Sequence, residues 1–475
     1  MEKVKNTIEQ HVSAPIAAEG VNVTKYKDLV EIRQISIQYS DHVENVAAEV
    51  WTKAIQKALD TEKVVYIPNI GHTIYLDAPL VLRSGYRIVA DQDQMIGQVP
   101  DTNTCMVRNE NIINGKDRAV MLDRPDCDIS VEGGVWTTFT TQMGIPNGNF
   151  RGHADKEQSM QGAFGFMLFS NVERLQIRNI TIQDGMSYGF QISNCRDFLV
   201  EDICFVRHHK DGVHINGPVQ YGIIRNLRGK DMGDDMVALN AWDWCTSAVT
   251  FGTIEDVLVQ NVKSNNNEFR LLPGRKMFED GSFVDCDLRR VVLENISGVY
   301  TYKLYCQPNI ANAIRGIHDT SGAVGNIKDV YFKNITFDAA QEAGFNELPV
   351  GGLFEVCADC DGLYLEDITV EEPFSSFQEK QAALFKAGPL SATWKNDSDD
   401  PAKWGEVFDP DAICTVDNIH MKNIRFRDGK GGYEAIDDTG LLTRETHMTI
   451  NPDYPNTTPK GGTGYGTIRR VTVEK

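Results

Sequence analysis

Leu175-Gln-Ile177-Arg-Asn179-Ile180 is answered 23 residues later by Phe198-Leu-Val200-Glu-Asp202-Ile203. The pattern is apolar, any, apolar, any, Asn or Asp, aliphatic. It returns as Val257-Leu-Val259-Gln-Asn261-Val262, Val291-Val-Leu293-Glu-Asn295-Ile296 and Val330-Tyr-Phe332-Lys-Asn334-Ile335. Leu363-Tyr-Leu365-Glu-Asp367-Ile368 and Ile419-His-Met421-Lys-Asn423-Ile424 complete it, with a degenerate copy at Asn226-Leu227. Asn179 to Asp202 spans 23 residues and Asp202 to Asn226 spans 24; the later steps are 35, 34, 39, 33 and 56. Alternating apolar residues at a repeat near 23 describe one turn of a β-solenoid, whose coils stack their strands in register around one apolar core. Longer steps are coils with inserted loops. No helical period runs between the copies, which excludes βαβ units.

A second alternating phase, Tyr188-Gly-Phe190-Gln-Ile192, Gly212-Val213-His-Ile215 and Met236-Val237-Ala-Leu239, gives each coil at least two strands. The recurring Asn belongs at a tight corner, where its side chain bonds the backbone and tolerates left-handed geometry. Stacked corners predict an Asn ladder. Asn179, Asn295 and Asn334 match the N-x-S/T sequon, yet the repeat assigns them to this ladder.

Ahead of the repeats, 41–60 reads as an amphipathic helix, with Asp41 as N-cap and Ala47, Val50, Trp51, Ala54, Ile55, Ala58 and Leu59 on one face. Such a helix would cover the open end of the solenoid and protect its strand edges. Residues 1–40 form an arm before it, 373–415 a long inserted loop, and Val471-Thr-Val473 a last strand. The 475 residues, about three domains by length, therefore reduce to one capped stack of roughly ten coils.

Charge narrows the partners. With 47 Lys plus Arg against 67 Asp plus Glu the net charge is −20, which repels nucleic acid and anionic membrane surfaces. No apolar run is long enough to span a bilayer, and the first residues lack the core of a signal peptide, so a cytoplasmic location is expected unless a leader was removed. The ten Cys are scattered among apolar neighbours, and Cys357-Ala-Asp-Cys360 has no second Cys pair or His pair to complete a zinc site. No cofactor or metal is expected.

Chemistry concentrates at one place. His208-His209-Lys210-Asp211-Gly212 opens a strand, and Gly233-Asp234-Asp235 opens the equivalent strand one coil later, Asp211 and Asp234 standing 23 residues apart. Asp-Gly and Gly-Asp-Asp are ordinary turn sequences. Two abutting carboxylates in phase with a third are less easily explained by turns, because like charges repel. Rung spacing of about 4.8 Å brings the three together. Close carboxylates drive their pKa values apart and can supply a general acid and a general base. His208, His209, His214, Trp242 and Trp244 lie in the same stretch; an exposed Trp would seat a sugar ring, and His214, out of phase with Val213 and Ile215, would face the cleft.

From about residue 41 through 340 the chain resembles the polygalacturonase family of glycoside hydrolases, which are right-handed parallel β-helices of the pectin-lyase type. The residues are the Val64-Val-Tyr-Ile-Pro68 strand, the Ile129-Ser-Val-Glu-Gly-Gly-Val-Trp136 strand, the repeats, and two motifs. The family's Asn-Thr-Asp-Gly appears as His209-Lys210-Asp211-Gly212, and its Gly-Asp-Asp stands intact as Gly233-Asp234-Asp235. Its Gly-His-Gly would fall at Thr246-Ser247-Ala248, without the His, and its Arg-x-Lys at Arg270-Leu271-Leu272, without the Lys. The resemblance implies an inverting glycosidase acting on an oligo- or polysaccharide. Asp234 would be the general acid, Asp211 and Asp235 would activate water, and Arg270 would contact the sugar. The absent Lys argues against galacturonate and, with the acidic charge, leans towards a neutral sugar. Inversion needs carboxyls about 6.5–9.5 Å apart.

Two other functions fit the same scaffold. A polysaccharide lyase or epimerase would hold Ca²⁺ on the carboxylates and use Arg270, Arg275 or Lys276 as base. A non-catalytic sugar-binding helix would need no abutting carboxylates.

Overall fold

The structure, a computed structural model, describes residues 1–15, 19–102, 104–112, 121–141, 165–243, 249–277, 282–305, 325–337, 352–375, 383–387, 394–395, 405–406, 415–436, 442–444 and 467–475. It is a right-handed parallel β-helix. One column of core residues climbs the coils in strict register: Val65, Ile88, Val131, Ile177, Val200 and Ile224, then Val259, Leu293, Phe332, Leu365, Met421 and Val473. From Ile177 to Met421 each is a centre of the sequence repeat, so there the apolar alternation and the core are one feature. The final rung is the expected strand around Val471.

Each full coil has three faces. In Tyr188–His208 the first face carries Phe190 and Ile192, the second Phe198 and Val200, the third Ile203 and Phe205, all buried. The chain turns between faces two and three at single left-handed residues, Asp202, Asn226, Asn261, Asn295, Asn334, Asp367 and Asn423, all with φ between 52° and 59°. Their amides form the ladder the repeat predicts. Asn226 Nδ2 donates to Asp202 (2.8 Å), Asn261 to Asn226 (3.0 Å), Asn295 to Asn261 (3.0 Å) and Asn334 to Asn295 (2.8 Å). Asn423 donates to Asp367 (2.6 Å), while Asn179 turns instead to Glu132 (3.0 Å).

The ladder makes a stability prediction. Asn261→Ala removes one donated and one accepted bond and places a β-carbon at φ 56°, where Asn is tolerated and Ala is not. The expected loss is about 2–4 kcal/mol from a left-handed cost of about 1–2 plus about 0.5–1 for each of the two solvated bonds. Asn261→Gly should lose less, because only the bonds go. Equal urea midpoints for the two variants would show that the backbone term is absent.

The amino-terminal end is closed by a helix and an antiparallel strand pair. Helix α2, Thr52–Glu62, buries Ala54, Ile55, Ala58 and Leu59 against the first coil, as a cap should. The expected helix over 41–60 is nevertheless half strand. Val43–Val50 pairs antiparallel with Glu31–Gln38, and Asp41 sits in the turn beside His42 rather than at an N-cap. Ala48 and Val50 face Ile35, Ile37, Tyr75 and Phe139, a small core of their own. Tertiary packing of a β-branched segment has overridden a spacing that also fits a helix. Helix α1, Glu2–His11, lies outside on face two. Its Ile8 is buried on the column Leu199, Ile223, Leu258 and Val292, with Lys5 on Glu294 (2.7 Å).

Within 373–415, Ala383–Ala387 pairs with Gly352–Cys357 and Leu442–Arg444 as a further rung of face one, so that segment is not loop throughout. No described helix is long and apolar enough to cross a membrane.

Candidate active site

Face one positions the site. Its inward column is Phe190, Val213, Val237, Phe269, Tyr302 and Phe354. The outward neighbours, one residue along, are Gln191, His214, Ala238, Arg270 and Lys303. The corners leading into this face carry the acids. Gly189 N donates to Asp211 O (2.9 Å) and Gly212 N to Asp235 O (2.9 Å), so the two corners stack through their backbones. Gly212 has to be glycine: a β-carbon there would lie 2.8 Å from Met236 O and 2.9 Å from the Phe205 ring.

Asp211, Asp234 and Asp235 converge, with one carboxylate oxygen of each within 4.8 Å of the others. This is tighter than the expected 6.5–9.5 Å, because the corners are stacked at rung spacing. Asp234 is the most open, its side chain 9% exposed, against 3% for Asp211 and 0% for Asp235. Burial and the Asp211 charge push the Asp234 carboxyl up to about 6, against Arg270 and Lys210, which pull it down. Burial pushes Asp235 well up too, although Arg270 Nε stands 3.0 Å from its Oδ2. That contact is an ion pair without hydrogen-bond alignment, and among the described residues neither Asp235 oxygen has a hydrogen-bond donor.

Asp211 is held differently. His214 Nδ1 meets its Oδ2 at 2.6 Å and His214 Nε2 meets Asp243 Oδ2 at 2.8 Å, with the ring stacked on Tyr188 at 3.9 Å. Burial disfavours the charged ring, but its bonds to Asp211 and Asp243 prevail and raise it to about 9. At neutral pH His214 is an imidazolium clamped between two carboxylates. It leaves the apolar face, as its phase predicts, but is 1% exposed and backs Asp211 rather than lining an open cleft.

The remaining expected residues divide. Arg270 joins the cluster, its Nη2 3.6 Å from Asp234 and 2.9 Å from Glu268. His208 packs inward near Phe166 and Phe205, with Nε2 on Asp211 O (3.0 Å), and burial lowers it to about 4, so it is neutral. His209 is half-buried and also lowered by burial. Trp242 is a correction: it is 3% exposed, edge-on to Phe251 at 5.4 Å, and belongs to the core. The chain has turned a corner after Asn240, so the strand alternation no longer governs it. Trp244 and Thr246-Ser247-Ala248 lie outside the described residues. Arg275 pairs with Asp285 (2.8 Å) away from the carboxylates, and the Lys276 side chain is outside the described ones.

Sequence reasoning missed Asp243, Glu268, Tyr300 and Lys303. Lys303, 2% exposed and in register with Arg270, sits 2.5 Å from Glu268, which also accepts from Tyr300 Oη (2.9 Å). A charged residue buried in an otherwise apolar strand, as in Tyr302-Lys303-Leu304, was the available signal.

No family model matches the chain, and a search of curated proteins gave no match. Solved structures do match. An exopolygalacturonase from Thermotoga maritima superimposes with a TM-score of 0.51 at 11% identity, over 91% of this chain and 98% of that one. What is shared is the fold. The catalytic unit of an α-1,3-glucanase from Streptomyces thermodiastaticus (TM-score 0.46, 12% identity, 97% and 69% covered) and a surface adhesin of Streptococcus pneumoniae (0.42, 11%, 96% and 98%) are more distant. The resemblance read from the Asp motifs and the repeats thus stands at the level of a parallel β-helix.

Proposed function

We propose that the protein is a glycoside hydrolase that cleaves an oligo- or polysaccharide by single displacement with inversion. The observation that carries this is the division of labour within one carboxylate cluster: Asp234 is the most exposed and has a raised pKa, while Asp211 is pinned beside a buried imidazolium. Asp234 holds a proton at mildly acidic pH and donates it to the leaving oxygen. Asp211, its Oδ2 2.6 Å from His214 Nδ1, is placed to accept a proton from water. Asp235 completes the cluster; burial pushes its carboxyl well up, so the base role rests on Asp211.

The short separation of the acids would favour a covalent, retaining route by spacing alone. Burial argues against it. Asp211 is 2% and Asp235 0% exposed, so neither carboxylate is presented to the anomeric carbon of a ring. The anomer released first, read by NMR within the first turnovers, decides: inverted configuration is expected, and retention would remove the single-displacement assignment. Arg270 is committed to Asp235 and Glu268 rather than held ready for a sugar carboxylate, which favours a neutral ring, while Lys210 stands 3.5 Å from Asp234. The same commitment weakens a lyase reading with Arg270 as base.

The activity test is a reducing-sugar screen over oligosaccharides of varied sugar and linkage, with Asp234→Asn as the blank. Release of reducing ends by the unsubstituted chain alone is the expected result. An unsaturated product absorbing in the ultraviolet would replace hydrolysis by elimination.

A further inference from the structure

A groove of about 640 Å³ runs along the corner between faces two and three, away from the carboxylates. Asp202, Asn226, Asn261 and Asn295 form one wall, and the outward column of face three, Cys204, Arg228, Lys263 and Ser297, forms the other. Arg228 and Lys263 are exposed and lie directly across one ladder step from each other. Neither makes an ion pair or hydrogen bond among the described residues, although the chain carries a net charge of −20. Like charges opposed across strands are unfavourable, and an anion between them removes that cost. Each ladder Asn spends one N–H on the preceding rung and keeps a second for a ligand, repeated every rung at about 4.8 Å, close to the advance of one sugar unit in an extended chain.

We propose that this groove is a second carbohydrate site, binding an acidic stretch of glycan, with a carboxylate or sulfate between Arg228 and Lys263 and hydroxyls on the Asn ladder. The sugar half of the assignment rests on the glycosidase reading; the anion half does not. A polymer anchored here could present a neutral linkage to the carboxylate cluster on another corner of the coil.

Cys204 lines the groove and reports on it. On the Asp234→Asn chain, which keeps the probe intact, a uronic-acid tetramer should slow alkylation of Cys204 at least tenfold, read by peptide mass. A glucose tetramer at the same concentration should not. Arg228→Gln with Lys263→Gln should abolish the protection and weaken the tetramer at least tenfold by calorimetry at low salt, while turnover of a neutral substrate by the chain with intact Asp234 stays unchanged. Unaltered Cys204 reactivity together with unaltered affinity in the double variant overturns the proposal. So does equal protection by the glucose tetramer, or by inorganic sulfate, which would leave a site for any sugar or any anion. Failure of the glycosidase reading would show separately, as no reducing ends from the unsubstituted chain.

Discussion

Asp234→Asn should reduce turnover about 10²- to 10⁴-fold, the usual contribution of a positioned general acid, while the protein becomes more stable at pH 7. The amide keeps the shape and cannot donate a carboxylic proton. The stability gain follows from linkage. Asp234 sits near 6 when folded against an ordinary 3.8, so folding favours its protonated form. That contribution is complete below about 4 and is lost as pH rises through about 6. At neutral pH the ionised group therefore costs up to roughly 3 kcal/mol, nearer 1–2 after allowing for its partial exposure. The amide removes that cost, as expected where an active site trades stability for function. Turnover of the unsubstituted chain should fall above about pH 6 as the acid ionises. Full turnover in the variant, or loss of turnover together with a lower melting temperature, would sink the role given to Asp234.

The same coupling of spacing to register explains what the sequence revealed. Corner Asn and Asp residues recur because a left-handed corner and its ladder bonds accept few other side chains, so the architecture is written in local chemistry that repeats. Asp211 and Asp234 were visible for the same reason: one coil separates them. Glu268 and Lys303 were hidden because they follow coils of 34 and 35 residues, in which inserted segments uncouple sequence distance from rung number. Only the pairing of Arg270 with Lys303 restores it. Asp243 lies past a corner, where alternation gives no direction. The cap misled for another reason. Ala47, Val50, Trp51 and Ala54 satisfy a helical spacing, while Ala48 and Val50 satisfy a strand, and contacts with Ile35 and Ile37 decide between them. Helix α1 was missed because its apolar face is little more than Val4 and Ile8. Its stability is lent by the stripe it covers rather than by its own sequence.

His214→Gln should be the most destabilising single change at the site, by about 3–5 kcal/mol, because it removes the one cation between two buried carboxylates. Among the described residues the groups facing this ring are Asp211, Asp243, Asn216 and Tyr188, none of them a cation. The pH dependence has a definite sign. His214 is raised to about 9 when folded, against an ordinary 6.5, so its contribution is fully present below about 6.5 and is lost as pH rises through about 9. Across that window the unsubstituted chain should lose roughly 3 kcal/mol that the variant never had. The two urea titrations should therefore converge at alkaline pH. Asp243→Asn tests the same clamp from its far side: it keeps one carboxylate on the ring, lowers the His214 pKa, and moves the loss to lower pH. Combining the two substitutions should cost less than their sum, since His214→Gln leaves one buried acid instead of two once Asp243 is an amide. Parallel titration curves for the variant and the unsubstituted chain would show that His214 is neutral in the folded protein. In that case Asp211 would lose the positive partner on which the role given to it rests.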